Sequence, residues 1–196
     1  MQTTPIADAK QDELLRFARL SDAIDVLVEV FGFPAARART VARKLQDAGA
    51  LPLGTYSTPP MIDARGLVTL ILGVCCDATL RETPTMVAQI EALEWLQPIK
   101  IVADPTPPEL QEALHAEAGV FLEGLAALAL RGEQWVGNVK IEVAPELPEL
   151  VVYFGDGIAE RFCGSSMPEA QTNVRKSTTI TGAGLAIAVG ELFQRR

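Results

Sequence analysis

Four cationic side chains, Arg37, Arg39, Arg43 and Lys44, crowd into the stretch "ARARTVARKLQDAG", with Thr40 between them. A guanidinium offers a planar fork of donors and an ammonium a compact positive charge, and both suit oxyanions. Between Phe33 and Gly54 the only acid is Asp47, so this window carries +3 and the rest of the chain −11, for a net charge of −8. Such a local reversal in an acidic protein is what a localised nucleic-acid contact requires. The competing reading is a solvated helix face, or one that meets nearby acids such as Asp22, Asp25 and Glu29.

Other chemistry finds little support. His115 stands alone in "ELQEALHAEAG", with no nucleophile motif beside it, and is expected at the surface. Glu91 and Glu94 fit a wet helix face. Gly182, Gly184 and Gly190 in "GAGLAIAVG" lack the spacing of a dinucleotide loop and suit close helix packing. Cys75, Cys76 and Cys163 form no ligand set with histidine, so they are expected to be buried free thiols. The expectation is a non-enzymatic protein with no metal and no cofactor.

The basic residues need an element to hold them. Residues 34–48 read as a helix that stops at Gly49. At about 100° per residue, Ala38, Val41, Ala42, Leu45 and Ala48 share one arc, and Arg37, Arg39, Thr40, Arg43 and Lys44 take the other. Before it, residues 8–20 are rich in helix formers. Ser21 and Asp22 open a second helix over 22–31, with Ile24, Leu27, Val28 and Phe31 at core spacing. "GFP" breaks the chain between the two helices. After Gly49, "ALPLGTYSTPPMID" reads as a loop able to form a small β-wing.

Asp63 is placed to cap an apolar helix reaching about Cys76, and Thr83 with Pro84 opens another through "ETPTMVAQIEALEWL". The Pro-rich "ADPTPPEL" sets a domain boundary near residues 103–107, giving domains 1–103 and 104–196. A long helix over 107–130 follows, whose stripe of Leu110, Leu114, Phe121, Leu125 and Leu128 suits either self-association or packing on its own sheet. "VKIEV", "LVVYF", "IAERFC" and "RKSTTIT" then read as strands of a small antiparallel sheet, with a hairpin at "GDG" and a closing helix capped by Thr181. The fold class is α+β.

The unit over residues 22–48 resembles a helix-turn-helix and, with its flanking helix and loop, a winged one. That resemblance implies a second helix lying in the DNA major groove, with Arg37, Arg39, Thr40, Arg43 and Lys44 as contacts to guanine edges and phosphates. "VARKLQDAGALPLG", "IDARGLVTLILGV" and "VKIEVAPELPELVVYFGDG" resemble DNA-binding proteins of proteobacterial phages and prophages. The order of parts is similar to that of phage small terminase subunits. These resemblances imply a transcriptional regulator acting on double-stranded DNA. The alternatives are a small terminase subunit for DNA packaging, with the large terminase as partner, or a phage assembly protein whose helix-turn-helix binds other phage proteins. Four phosphate-contacting cations give log affinity a slope of about −3.6 against log salt, shallow enough to favour a homo-oligomer.

Composition bounds the rest. With 48% hydrophobic and 21% charged residues, the 196-residue chain can bury a core. The apolar run "GLVTLILGVCC" is too short to span a membrane and contains Thr69. "MQTTPIADAKQDELLRF" has no basic stretch leading into an apolar block, so the expected location is the cytoplasm.

Overall fold

The computed structural model describes residues 16–76, 78–96, 110, 113, 115–145, 148–155, 158–164 and 176–194. Its elements begin with β1 (Ala18–Arg19), α1 (Leu20–Phe31), α2 (Ala35–Asp47), β2 (Met61–Ile62), α3 (Ala64–Cys75), α4 (Thr83–Glu91) and β3 (Glu94–Leu96). They continue with α5 (Ala118–Leu130), a 3-10 turn (Gln134–Asn138), β4 (Val139–Ala144), β5 (Glu149–Phe154), β6 (Ile158–Cys163), β7 (Thr178–Thr181) and α6 (Gly182–Phe193). The architecture is α+β, with helices packed on an antiparallel sheet.

The centre is α3. Asp63 caps it, its side chain accepting from the Gly66 backbone N–H at 2.8 Å, and every residue from 67 to 75 is buried. A helix apolar all round must be enclosed all round. α2, α4 and α5 supply part of that enclosure. Val68, Ile71 and Leu72 of α3 meet Leu122 of α5, Leu185 of α6, and Ile141 and Ile180 of the sheet across a common apolar space. Thr69, the one polar residue within this buried run, donates to Glu91 Oε1 at 2.5 Å.

The five-stranded sheet runs β3-β6-β5-β4-β7, with each neighbouring pair antiparallel. Paired residues share a face. Ile141 with Val152 and Ile180, and Val143 with Leu150, are buried in the core, whereas Lys140 with Tyr153 belong to the other face. Phe121 of α5 packs against Phe162, with ring centroids 5.0 Å apart, and against Phe154. Glu160 sits on the core side, 3% exposed, and accepts from Trp95 Nε1 at 2.7 Å.

Several expectations change. α1 starts at Leu20 and Arg19 occupies its cap position, so Ser21 is not the cap; its hydroxyl turns to Asp22 instead. Of the helix expected over 8–20, residues 8–15 lie outside the described residues, and Ala18–Arg19 form a strand because Met61–Ile62 satisfy their backbone. Of the segment 50–63 read as able to form a wing, residues 51–60 contain no strand and Met61–Ile62 form one that pairs with Ala18–Arg19. The helix opened by Thr83 ends at Glu91, and Glu94–Leu96 instead extend the sheet along β6. The expected helix over 107–130 is interrupted before Ala118, whose N–H donates to the Leu93 carbonyl at 2.9 Å. A tertiary hydrogen bond there replaces a helical one. Leu110, Phe121, Leu125 and Leu128 are buried within the chain, so they offer no association stripe; Leu114 lies outside the described residues. The expected boundary at 103–107 also lies outside them, and one hydrophobic cluster takes buried side chains from both sides of it.

Gly73 sets how closely α2 approaches α3. A Cβ there would sit 2.9 Å from both Leu45 Cδ1 and Val41 Cγ1. In Gly73→Val the added bulk outweighs the few tenths of a kcal/mol gained in helix propensity, and stability falls by about 2 kcal/mol. Urea unfolding checks this, and an unchanged midpoint would contradict the α2–α3 packing described here.

Candidate nucleic-acid interface

α2 owes its orientation to its apolar arc. Ala38, Val41, Ala42 and Leu45 are buried against neighbouring helices, so the opposite arc faces water. The turn before it is built on Gly32, whose backbone is left-handed at φ 70° and whose N–H returns to the Val28 carbonyl at 3.1 Å. After it, Ala50 and Leu51 donate to the Leu45 carbonyl at 2.8 and 3.2 Å.

The five expected contact residues separate into three situations. Arg39 and Arg43 are exposed and neither ion-pairs with a described residue. Thr40 is exposed and donates to the Ala36 carbonyl at 2.7 Å, which leaves its oxygen free to accept. Lys44 meets Asp47 at 3.7 Å in an exposed pair. Such a pair is worth less than about 1 kcal/mol, so an incoming phosphate can displace the carboxylate.

Arg37 behaves differently. Its guanidinium turns back to the C-terminal end of α3, donating from Nε to the Val74 carbonyl at 3.4 Å and from a terminal nitrogen to the Cys76 carbonyl. Those carbonyls sit at the negative end of a helix, where a cation is favoured. Arg37 is therefore a structural clamp between α2 and α3. The signal was legible: on a helical wheel Arg37 lies about 40° from Val41, at the border of the packing arc.

Acidic residues also have exposed positions nearby in sequence, with Asp22, Asp25 and Glu29 on the outer side of α1. Elsewhere, a cleft of about 440 Å³ is lined by Phe17, Met61, Asp63, Arg65, Thr69 and Glu91, among others. Its polar groups have internal duties. Asp63 caps α3, Glu91 holds Thr69, and Arg65 faces Glu123 at 3.9 Å. Burial raises the Glu123 pKa, with Arg65 opposing the shift.

His115 is exposed and stands edge-on to Trp95, 5.1 Å between centroids. Among the described residues no group of three or more His, Cys, Asp or Glu side chains is placed to hold a metal, and no helix is long and apolar enough to cross a membrane. The three cysteines are buried and free. Burial pushes the Cys76 thiol up to about 12, with Arg37 opposing, and pushes Cys75 further up.

No family model, no curated protein and no solved structure matches the chain.

Two measurements follow from this arrangement. Arg37→Ala should cost about 1–3 kcal/mol of stability, because it strands carbonyls at the end of a buried helix, whereas Arg39→Ala should stay within about 0.5 kcal/mol. Equal unfolding midpoints for the two variants would refute the clamp. The Cys76 thiol keeps its proton more tightly in the folded state than its ordinary value of 9.0 implies. Its contribution to stability is therefore full below about pH 9 and declines as pH rises towards about 12. At pH 8 an alkylating reagent should modify Cys75 and Cys76 no faster than the protein opens. Rapid labelling of the native protein would contradict their burial.

Proposed function

We propose that the chain is a non-enzymatic, cytoplasmic protein of phage or prophage type that binds double-stranded DNA through α2 and acts as a transcriptional regulator. The observation that carries this reading is the outward-facing pair Arg39 and Arg43, with Thr40 beside them and no described residue neutralising either guanidinium. Guanidinium forks on an exposed helix match the major groove in width and chemistry. They contact phosphates to hold register and guanine edges to read sequence. In this reading α1, the Gly32 turn and α2 are the helix-turn-helix, and the loop over residues 51–60 takes the place of a wing.

Arg37 drops out of the contact set because its guanidinium is engaged by α3. Three cations remain, Arg39, Arg43 and Lys44, and the slope of log affinity against log salt becomes about −2.7 per chain. A single copy with so few contacts binds weakly, which makes a homo-oligomer part of the proposal. Packaging-site recognition by a small terminase would use the same chemistry. Promoter-region and terminase-proximal fragments tell the two uses apart.

The direct test measures duplex binding at two or more salt concentrations for the wild type and for the Arg39→Ala, Arg43→Ala double variant. Removing two phosphate contacts should make the slope shallower by about 1.8 and weaken binding at low salt. Wild-type affinity and slope in the double variant would remove α2 from the interface and favour the reading in which it binds protein.

A further inference from the structure

We infer that the cleft between the chain after α2, β2, the first turns of α3 and the end of α4 is a binding site for a small organic amine, a primary ammonium carried on an apolar body. The inference is independent of the DNA-binding reading above, because none of the basic residues of α2 lines this cleft.

Size and lining set the class of ligand. A cleft of about 440 Å³ falls in the range of small-molecule sites, which combine apolar walls with a few placed polar groups. Here Phe17, Met61 and Ile62 supply apolar wall, and Asp63, Thr69 and Glu91 supply oxygens. Phe17 is 47% exposed, and an aromatic face attracts a cation as well as hydrocarbon.

The internal duties of the polar groups leave acceptors over. Asp63 caps α3 through Oδ1 and Glu91 receives the Thr69 hydroxyl through Oε1, while the second oxygen of each takes no hydrogen bond from a described residue. Thr69, only 4% exposed, is the donor in its bond to Glu91, so its own oxygen keeps lone pairs. An ammonium has three N–H donors and no acceptor, the complement of such a set.

Charge points the same way. Among the groups that line the cleft or act on Glu123, three carboxylates, Asp63, Glu91 and Glu123, meet one guanidinium, Arg65. Arg65 spends itself on Glu123, at 3.9 Å, with its side chain 54% exposed, and leaves the two lining carboxylates without a cation. Glu123 registers the excess: burial raises its pKa, Arg65 opposes the rise, and Asp63 and Glu91 add to it. A bound ammonium relieves that repulsion, whereas an anionic ligand would add to it.

The walls are in place before a ligand arrives. Ala18 and Arg19 pair with Met61 and Ile62, the Pro60 carbonyl accepts from the Leu20 N–H at 2.9 Å, and the Ala50 N–H donates to the Leu45 carbonyl at 2.8 Å. Gly66 lies so close to β2 that a Cβ would stand 2.9 Å from Ile62 Cβ. A preformed site loses little affinity to ordering itself.

The test titrates the full chain, isotope-labelled at its methionine methyl groups, with phenethylamine, phenethyl alcohol and hydrocinnamate, which share a ring and differ in charge. The Met61 methyl reports on the cleft, and Met86, which does not line it, is the control. Phenethylamine should move the Met61 signal at millimolar concentration and bind about tenfold more tightly than the alcohol, and hydrocinnamate should not bind. Asp63→Asn keeps an oxygen for the cap and Glu91→Gln keeps one for Thr69, so each should weaken the amine by about three- to tenfold and leave the alcohol unchanged. Arg65→Ala should tighten the amine. Unfolding midpoints show that a lost affinity is not a lost fold; the wild-type probe series and Arg65→Ala decide the matter if either carboxylate variant unfolds. The inference is overturned by an amine that leaves Met61 unmoved, by an alcohol or acid that binds as well, by wild-type amine affinity in both carboxylate variants, or by an Arg65→Ala variant that does not bind the amine more tightly.

Discussion

The enclosure of α3 is the constraint on which the rest of the molecule depends. From residue 67 to 75 this helix has no side that water can share, and its one polar group in that run, the Thr69 hydroxyl, is bound to Glu91. Each surrounding element must turn an apolar face towards it, which fixes how that element faces outward. For α2 the result is that Arg39, Thr40, Arg43 and Lys44 point into solvent. The cationic surface is thus a by-product of burying Val41 and Leu45, positioned by packing on the opposite arc.

Two local devices tighten this arrangement. Gly73 removes the side chain that would hold α2 away from α3, and Arg37 crosses from α2 to the carbonyls that end α3. Arginine thus serves two purposes on one helix. At the border of the packing arc its fork neutralises a helix terminus, while a quarter-turn or more away it remains available to a partner. The division leaves Arg39, Arg43 and Lys44 as the outward-facing cations of α2.

The loop after α2 shows how a segment without regular structure acquires a fixed shape. Its hydrogen bonds go to Leu45, Gln46 and Leu20, elements at both ends of the α1–α2 unit, so the loop and the basic helix form one surface. α1 also packs on α6.

Much was settled by residue order alone. The amphipathic spacing of α2, the Asp63 and Thr181 caps, the strand formers of β4 to β6 and the packing glycines Gly182 and Gly184 all act over a few residues, and local physics places them. Gly182 and Gly184 bear this out, since a Cβ on either would collide with Val136 or Phe31. What needed the tertiary structure were outcomes fixed by partners distant in sequence. Glu94–Leu96 became a strand because β6 offered a free edge, Ala118 opened a helix because Leu93 took its N–H, and Ala18–Arg19 paired with Met61–Ile62. Helical spacing puts Arg37 at the border of the packing arc, but its partners, carbonyls 37 and 39 residues ahead, were chosen only by the fold.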